Sequence, residues 1–334
     1  MTDQQLPVAV IGCGRMGRLH ARVYSQMPQV KLIGVHDANT EAAEETAEKY
    51  GATALSLDAI LNQAKAVTIA VPTTYHLPTA KPFIERGIAC LIEKPLAKDS
   101  AEARQIVELA DRHQATVQVG HIERFNPAVR AMMELGVAAG FLEVTRVSPL
   151  SFRSIDVGVV LDMMIHDIDI VLQLANSPVK SVEAVGINVI GDAEDMCNAR
   201  LTFENGCVAN ITASRLSMKT ERKLRVFGSD AYVSIDYQKR YGIAITKADN
   251  VTTIRDTVNK IRSGEIEDMS QINYTDLVNV KELRIDDEEP LRSELDAFIA
   301  AVQNRTKPVV TASDGLAAVE VAERIVAAMK KGIA

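Results

Sequence analysis

The sequence contains no tryptophan, and aromatic side chains make up only 4% of its 334 residues. This scarcity disfavours stacking platforms for nucleobases or for bare sugar faces. Positive charge is also short, because 37 lysines and arginines face 44 acidic residues and leave a formal charge of −7. An acidic chain has no general attraction for polyanions, so nucleic acid and acidic membrane surfaces are poor candidate partners. A local basic patch could still bind a phosphorylated small molecule.

Long apolar runs and cysteine motifs are absent as well. No run approaches the roughly 20 apolar residues that a membrane helix needs, and the N-terminal MTDQQLPVAV has no signal-peptide pattern. The four cysteines share no CxxC spacing, so neither a zinc site nor a redox pair is expected. They are Cys13, Cys90, Cys197 and Cys207. We therefore expect a cytoplasmic protein with reduced cysteines and no bound metal.

The order of secondary-structure patterns divides the chain into two domains. Between about residues 7 and 119, short apolar runs alternate with helix-like segments, which is typical of a parallel sheet with helices on both faces. After residue 126, strands follow one another through tight turns such as Glu204-Asn205-Gly206, which indicates an antiparallel sheet. The pattern predicts an α/β fold, with one domain in residues 1–122 and an α+β domain with a mainly antiparallel open sheet in residues 123–334.

The C-terminal part of the chain contains two contrasting segments. Residues 246–290 are polar and acidic with weak periodicity, so we expect an irregular excursion from the sheet. Helical patterns follow over about residues 292–303 and 313–330. The second pattern begins at a serine or aspartate cap and repeats apolar residues at helical spacing.

A glycine-rich loop follows the first apolar strand, PVAVI, and an amphipathic helix comes directly after it. Gly12 would form a tight turn, Gly14 would let the backbone approach a diphosphate, and Gly17 would allow close packing of helix and strand. Amides at the helix start would bind the diphosphate, so we expect a Rossmann domain. The predicted dinucleotide contacts in this GxGxxG loop are Gly12, Cys13, Gly14, Arg15, Met16 and Gly17. A glycine turn without a ligand is the alternative.

Asp37 indicates which dinucleotide the loop prefers. It ends the second strand, 20 residues after Gly17. Its carboxylate can accept hydrogen bonds from both ribose hydroxyls and repels a 2′-phosphate, and no arginine follows closely to receive one. We predict NAD as the cofactor and NADP as the less favoured alternative.

Lys94 lies at the end of another buried strand pattern, GIACLI, within the sequence Glu93-Lys94-Pro95. The ligand crevice of an open α/β sheet lies at the carboxyl ends of its strands, so Lys94 would lie beside the nicotinamide. Pro95 removes an amide donor and favours an extended Lys94, which would hold this side chain in place. The alternative is a lysine at a solvated strand end.

Asp162 and His166 are four residues apart in the helical pattern LDMMIHDIDIVLQL, and Asp169 follows within one further turn. Asp162 would hold the imidazole in one orientation and favour its protonated form, as a general base for an alcohol proton requires. Three alternatives stay open. These are an exposed Asp/His pair, a core histidine satisfied by a neighbour, and a set of metal ligands.

These motifs together resemble the Gfo/Idh/MocA family of oxidoreductases. The resemblance covers nearly the whole chain, including residues 119–121, 124–127 and 293–325. It implies hydride transfer to a nicotinamide, with His166 taking a hydroxyl proton and Lys94 stabilising the negative charge on the oxygen. Asp162 would orient His166 or bind a neighbouring hydroxyl. The residues that the resemblance also places around the cofactor are Pro72, Thr73, His76, Glu93 and Lys94 itself.

The substrate is less clearly indicated. Residues 215–225 contain five basic side chains and one acid, which could bind a diphosphate or could be a solvent face or subunit contact. The segments VGHIERFNPAV and DVGVVLDMMIHDID resemble the branch of the family that oxidises the 3-hydroxyl of UDP-N-acetylglucosamine for a partner aminotransferase, on the route to lipid A precursors. The predicted substrate contacts are Arg124, Asn126, Arg153 and Arg215.

Two other functions stay open at this stage. One is a dehydrogenase of a free polyol or hexose, which an absence of arginines near the site would favour. The other is a regulator that binds NAD without catalysis, although the joint presence of Lys94, Asp162 and His166 argues against it. A broad open sheet would also leave one face available for packing into a dimer or tetramer.

Overall fold

The computed structural model describes residues 5–151, 157–190, 192–247, 251–266 and 278–332. The chain divides into two compact units that are not contiguous in sequence. The first contains Met1–Asn126, Val160–Ile170 and Glu288–Ala334, and the second contains Pro127–Val159 and Val171–Asp287. Each unit contains its own sheet.

A five-stranded parallel sheet forms the centre of the first unit. Its strands are β1 (Leu6–Ile11), β2 (Val30–His36), β3 (Ala66–Ile69), β4 (Ala89–Glu93) and β5 (Val117–Gly120). They follow the order β2-β1-β3-β4-β5, and a one-residue bridge between Val35 and Ala54 extends the sheet beyond β2. The strand order changes direction at β1, because β2 lies on one side of β1 and β3, β4 and β5 follow on the other side. Ligands of such sheets bind at the carboxyl ends of the strands beside this reversal.

Apolar side chains cover both faces of this sheet, as the sequence predicts. Every residue of β3, β4 and β5 is buried, and most of them are apolar; the polar exceptions are Thr68, Glu93 and Gln118. Successive strand residues point to opposite faces, so Ala9 and Ile11 enter one core and Val8 and Val10 enter the other.

Five helices connect these strands. They are α1 (Arg15–Ser25), α2 (Thr40–Tyr50), α3 (Leu57–Gln63), α4 (His76–Glu85) and α5 (Ser100–His113). Asn39, Ser56 and Asp99 cap α2, α3 and α5, each accepting a hydrogen bond from the amide three residues later. These caps explain where the three helices begin.

An eight-stranded sheet forms the second unit, in the order β13-β12-β11-β10-β6-β9-β8-β7. All its neighbouring strands are antiparallel except β6 and β9. Buried and partly exposed residues alternate along β8 and β9, as in a sheet with one covered face. The strands are β6 (Ala139–Val147), β7 (Val179–Ile187), β8 (Met196–Phe203), β9 (Val208–Ser214), β10 (Glu221–Gly228), β11 (Ala231–Asp236), β12 (Tyr241–Lys247) and β13 (Val278–Glu282).

The remaining helices include one with an unusual beginning. They are α6 (Pro127–Met133), α7 (Ile165–Ala175), α8 (Val251–Ser263), α9 (Pro290–Asn304) and α10 (Ala312–Gly332). A π-helical turn, Val160–Met164, leads directly into α7. Such turns widen the backbone spiral and are frequent at functional sites. Within the described residues, no helix has the length and apolar character needed to span a bilayer.

The structure differs from the sequence-based division at two places. The boundary expected at 122/123 does not separate two continuous domains, because α9 and α10 pack on the first sheet. Leu295 and Phe298 of α9 lie in one of its cores, and Val310 and Ala312 lie in the other. The segment 246–290 also contains α8 and β13, so the expectation of irregular structure was wrong there.

Candidate active site

The glycine loop leaves an open helix start at the carboxyl end of β1. Gly12 has a φ of +97°, which favours glycine, and a Cβ on Gly17 would lie 1.7 Å from the Gly12 carbonyl oxygen. A Cβ on Gly14 would meet no atom within 4 Å, so this position faces open space. No side chain caps α1. These features fit a dinucleotide diphosphate, which needs close backbone approach and uncapped amides.

The other predicted loop residues surround this helix start. Arg15 is exposed and Met16 is half-buried. Cys13 is buried, and burial raises the pKa of its thiol, in agreement with a small-residue position. The Cys13 amide donates to Asp37 Oδ2 at 2.6 Å, and the Asn39 amide donates to Oδ1 at 2.8 Å. Asp37 is therefore held at the end of β2, where it fits the ribose hydroxyls of a dinucleotide.

His76 has a different position from the one that the sequence suggests. Pro72 is exposed and Thr73 half-buried in the turn after β3, whereas His76 is buried. His76 Nε2 lies 3.0 Å from the Val71 carbonyl oxygen, and Nδ1 lies 3.0 Å from the Pro95 carbonyl oxygen. Both ring nitrogens of His76 thus contact backbone carbonyl oxygens, so we assign His76 a structural role in place of the predicted contact with the cofactor. Its imidazole joins the loop after β3 to the segment that follows Lys94.

Lys94 and Asp162 come together at the carboxyl end of β4. Lys94 Nζ donates a hydrogen bond to the Asp162 carbonyl oxygen at 2.6 Å and lies 3.5 Å from Asp162 Oδ1. The two side chains keep 20% and 32% of their surface exposed, so both are accessible to a ligand. Among the described residues Asp162 contacts Lys94, whereas the sequence analysis predicts that its carboxylate orients His166. The π-helical turn brings this carbonyl to the lysine.

His166 lies on the first turn of α7 and is half-buried. The ring of His121 lies beside it, with ring centroids 6.4 Å apart and planes at 85°. His121 follows β5 directly and is 1% exposed, and burial lowers the pKa of its imidazole. Sequence reasoning assigned no role to His121. The available signal was its position at the end of a buried strand, at the same sheet edge as Lys94.

Glu93 balances charge behind Lys94. It is buried, with Oε1 2.8 Å from His20 Nε2 and Oε2 accepting the Lys94 amide at 3.3 Å. Burial acts to raise the pKa of Glu93, but the hydrogen bond and charge of His20, together with the charge of Lys94, outweigh it and lower this pKa. Glu93 therefore carries a negative charge beside Lys94.

Glu294 on α9 is a second buried acid near Glu93. It has no exposed surface, and neither of its carboxyl oxygens has a hydrogen-bond partner among the described residues. Burial, followed by the negative charge of Glu93, holds the pKa of Glu294 well above its ordinary value of 4.5. Glu294 is therefore neutral over part of the pH range in which an exposed glutamate is ionised.

Replacing Glu294 with glutamine should flatten the dependence of stability on pH. The folded protein holds a proton on Glu294 that the unfolded chain releases above pH 4.5, so its stability falls as pH rises toward the raised pKa. The slope of this contribution is about 1.4 kcal/mol per pH unit. Urea unfolding midpoints measured between pH 5 and about pH 8 should reveal it. Glu108→Gln, at an exposed position, is the control; equal slopes in wild type and Glu294→Gln would contradict the assignment.

Two predicted substrate contacts in the first unit are occupied by internal partners. Arg124 Nε and Nη2 donate to the two oxygens of Asp169 at 2.7 Å each, and the two side chains are 9% and 1% exposed. Asn126 is buried and donates to Glu123 Oε2 at 3.1 Å. We therefore assign structural roles to Arg124 and Asn126 in place of contacts with substrate.

The basic segment of the second unit is also internally balanced. Arg215 is buried, with Nε 3.0 Å from Asp195 Oδ1 and Nη2 donating to the Val157 carbonyl oxygen at 2.6 Å. Its guanidinium therefore supports local loops, which corrects the predicted diphosphate contact. Lys219 and Lys223 pair with Glu221, and Arg225 pairs with Glu143, in agreement with a solvated sheet face. Arg153 lies outside the described residues.

The described part of the chain contains no group of three or more His, Cys, Asp or Glu side chains arranged to hold a metal ion. Its four cysteines are all buried and free. Lys94, Asp162, His121 and His166 place one ammonium, one carboxylate and two imidazoles near the carboxyl ends of β4 and β5. This set can donate to an oxygen and accept a proton from it.

Comparisons with known proteins identify the family. Residues 6–121 match a model of the oxidoreductase family with an NAD-binding Rossmann fold, and residues 146–234 match the GFO/IDH/MocA C-terminal domain. A UDP-N-acetylglucosamine 3-dehydrogenase from Acidithiobacillus ferrooxidans is 39% identical over 68% of this chain and 73% of its own. An inositol 2-dehydrogenase from Rhizobium meliloti is 28% identical over 95% of this chain and 94% of its own.

Solved structures show the same fold. The Acidithiobacillus ferrooxidans enzyme GnnA matches with a TM-score of 0.87 over 98% of both chains, at 29% identity. A levoglucosan dehydrogenase in complex with NADH and L-sorbose matches with a TM-score of 0.82 over 98% of this chain and 97% of its own, at 20% identity. The glycine loop, Lys94 and the helix of Asp162 and His166 thus occur in a chain that belongs to the Gfo/Idh/MocA family of oxidoreductases.

Proposed function

We propose that the protein oxidises the 3-hydroxyl of UDP-N-acetylglucosamine to a ketone, with NAD as the oxidant. The observation that carries the reaction type is the contact of Lys94 Nζ with Asp162, one helical turn from His166. Support for the substrate comes from the 39% identity to the Acidithiobacillus ferrooxidans enzyme that is named for this reaction. The proposed location is the cytoplasm.

In the proposed oxidation, the cofactor and three side chains have separate roles. A bound nicotinamide would accept the hydride that leaves the hydroxyl-bearing carbon. His166 accepts the proton of that hydroxyl as a general base. Lys94 donates a hydrogen bond to the same oxygen and stabilises its negative charge as the O–H bond breaks. Asp162 holds the ammonium of Lys94 in place, with its carbonyl oxygen 2.6 Å from Nζ.

Cofactor preference follows from Asp37 in this proposal. NAD should bind at least about tenfold more tightly than NADP, because the Asp37 carboxylate repels a 2′-phosphate. Asp37→Asn removes the charge but keeps an oxygen that can accept the Cys13 amide, so it should narrow this ratio. Glu41→Gln removes an exposed charge from the first turn of α2 and should leave the ratio unchanged. Calorimetry measures the dissociation constants of NAD and NADP for each protein. Equal or tighter binding of NADP by the wild type would refute the preference for NAD.

The substrate assignment has a direct assay. The protein, UDP-N-acetylglucosamine and NAD should produce reduced cofactor when a sugar aminotransferase and its amino donor are present. The aminotransferase is needed because it removes the ketone and so draws an unfavourable equilibrium forward. The 3-amino sugar that results is of the kind found in lipid A precursors. Absence of reduced cofactor, under conditions in which calorimetry shows that the UDP-sugar binds, would contradict the assignment.

A polyol or hexose dehydrogenase is the second candidate function. It is favoured by the internal pairing of Arg124 and Arg215, which commits two of the expected substrate contacts to Asp169 and Asp195. The similarity to inositol 2-dehydrogenase over 95% of the chain points the same way. Parallel assays with myo-inositol and glucose distinguish the two, because the UDP-sugar enzyme should oxidise neither at a comparable kcat/KM.

We also propose that the protein forms a homo-oligomer through the partly exposed face of its second sheet. Phe141, Phe227 and Tyr232 lie on neighbouring strands, with ring centroids 5.6 and 4.8 Å apart. Ile187 and Val280, toward the two edges, are 51% and 53% exposed. Apolar surface of this kind favours association. Sedimentation velocity should find a dimer or tetramer, and a monomer at micromolar concentration would contradict this proposal.

A further inference from the structure

The imidazole of His121 is a buried polar group that makes no hydrogen bond within the described part of the chain. Its ring is 1% exposed, and neither Nδ1 nor Nε2 has a partner among the described residues. Leaving such groups unsatisfied costs about 1–3 kcal/mol. A buried group of this kind needs an explanation, and a role in catalysis is one of the few. Its place in the fold suggests which role.

The neighbours of His121 belong to the reaction centre. His166 is beside it, with ring centroids 6.4 Å apart and planes at 85°. At this separation the ring nitrogens can come no closer than about 4 Å, so a hydrogen bond between them requires one ring to rotate and the two rings to approach by about 1 Å. Asp162, to which the sequence assigned the orientation of His166, has its contacts with Lys94. His121 is therefore in position to take over that task.

We propose that His121 is a positioning residue for His166 and that the two imidazoles form a dyad that takes up one proton in addition to the N–H that each neutral ring carries. His166 takes this proton from the substrate hydroxyl and becomes an imidazolium. A ring N–H of that imidazolium then donates to a nitrogen of neutral His121. The hydride leaves with the cofactor, and after product release the proton returns to solvent through His166, which is half-buried.

The electrostatics around His121 favour its neutral form. Burial is the largest effect and lowers its pKa. Four charged groups also act on it: Asp169 and Glu93 raise the pKa, whereas Arg124 and Lys94 lower it. Glu93 ends β4 and Lys94 follows it, Arg124 lies in the turn after β5, and Asp169 lies on α7. A protonated His166 would lower the pKa of His121 further, which limits the dyad to one proton.

The first test uses the protein alone and does not depend on its substrate. Long-range ¹H–¹⁵N spectra of the six histidines should show His121 and His166 sharing one protonation step in the pH titration. His121→Phe, which keeps a ring but removes both nitrogens, should lower the pKa of His166 by about one unit, because the imidazolium loses its acceptor. Independent uptake of a full proton by each ring in the wild type would overturn the dyad, even if the variant did not fold.

The second test is kinetic and rests on the proposed dehydrogenase function. His121→Phe should lower kcat by about tenfold to a hundredfold, leave the dissociation constant of NAD unchanged and move the acid limb of kcat/KM to lower pH. His121→Gln offers a side-chain carbonyl as acceptor and should recover part of both effects. His113→Gln, on α5, is the control and should change neither.

The outcomes of the two tests separate the proposals. If the wild-type protein oxidises no sugar, the proposed function is refuted. The NMR titration of His121 and His166 still shows in that case whether the two imidazoles share one protonation step. An active His121→Phe variant with an unmoved acid limb and an unchanged His166 pKa overturns the dyad and leaves the dehydrogenase intact. A loss of rate without movement of the acid limb also overturns it, because a purely structural defect produces that result.

Discussion

Replacing Lys94 with methionine should lower kcat by about 10³-fold while the dissociation constant of NAD changes little. Methionine keeps the unbranched stem and its packing but removes the ammonium that donates to the substrate oxygen. The group acts on charge that develops in the transition state, so its loss affects kcat more than binding. Steady-state kinetics and calorimetry with NAD measure the two quantities separately.

A neighbouring lysine provides the matched control. Lys98 is exposed and pairs with Glu102, four residues further on, so Lys98→Met should leave kcat unchanged.

His166→Ala should also retain NAD binding, and its turnover should fall by a factor of about 10²–10⁴, as expected for the loss of a general base. Wild-type turnover in either the Lys94 or the His166 variant would remove that residue from the mechanism.

Breaking the Arg124–Asp169 pair should cost about 3–5 kcal/mol of stability. Arg124→Leu leaves the Asp169 carboxylate, which is 1% exposed, without the two hydrogen bonds that now neutralise it. Removing one partner of a buried pair is costly because the other charge stays desolvated. Denaturant unfolding of the variant, followed by circular dichroism, measures the loss.

The double variant and an exposed pair serve as controls for this prediction. Arg124→Leu combined with Asp169→Leu should recover most of the lost stability, because no uncompensated charge is then buried. Arg104→Leu interrupts an exposed pair with Glu320 and should cost less than about 1 kcal/mol. If Arg124→Leu were as stable as Arg104→Leu, the buried pair would not be a major source of stability.

The parallel sheet and its glycine loop were predictable from the sequence because their signals are local. A strand buried on both faces is predominantly apolar, and β3 and β4 are apolar except for Thr68 and Glu93. Segments 251–263 and 278–282 were not predictable in the same way. The strand β13 is mostly exposed along its length and is defined by pairing with β12, a contact that its own polar sequence does not indicate.

The same limit applied to the site. Lys94 was predicted to lie at the carboxyl end of a central strand, where ligands of such sheets bind. In the structure it directly follows β4 at that end. The sequence did not indicate which arginine side chains are free to bind a ligand. Arg124 and Arg215 pair with carboxylates that are distant from them in sequence. Asp169 follows Arg124 by 45 residues, and Asp195 precedes Arg215 on a different loop.

The sequence by itself determined the family, the parallel sheet and the dinucleotide loop, because Gly12 and Gly17 meet backbone constraints that act within a few residues. Tertiary structure alone decided which polar side chains are left for chemistry. Buried charges must be paired, so folding commits Arg124, Arg215 and Glu93 to neighbours that are remote in sequence. It also brings His121 against His166, an approach that no local pattern encodes because it depends on how β5 and α7 pack.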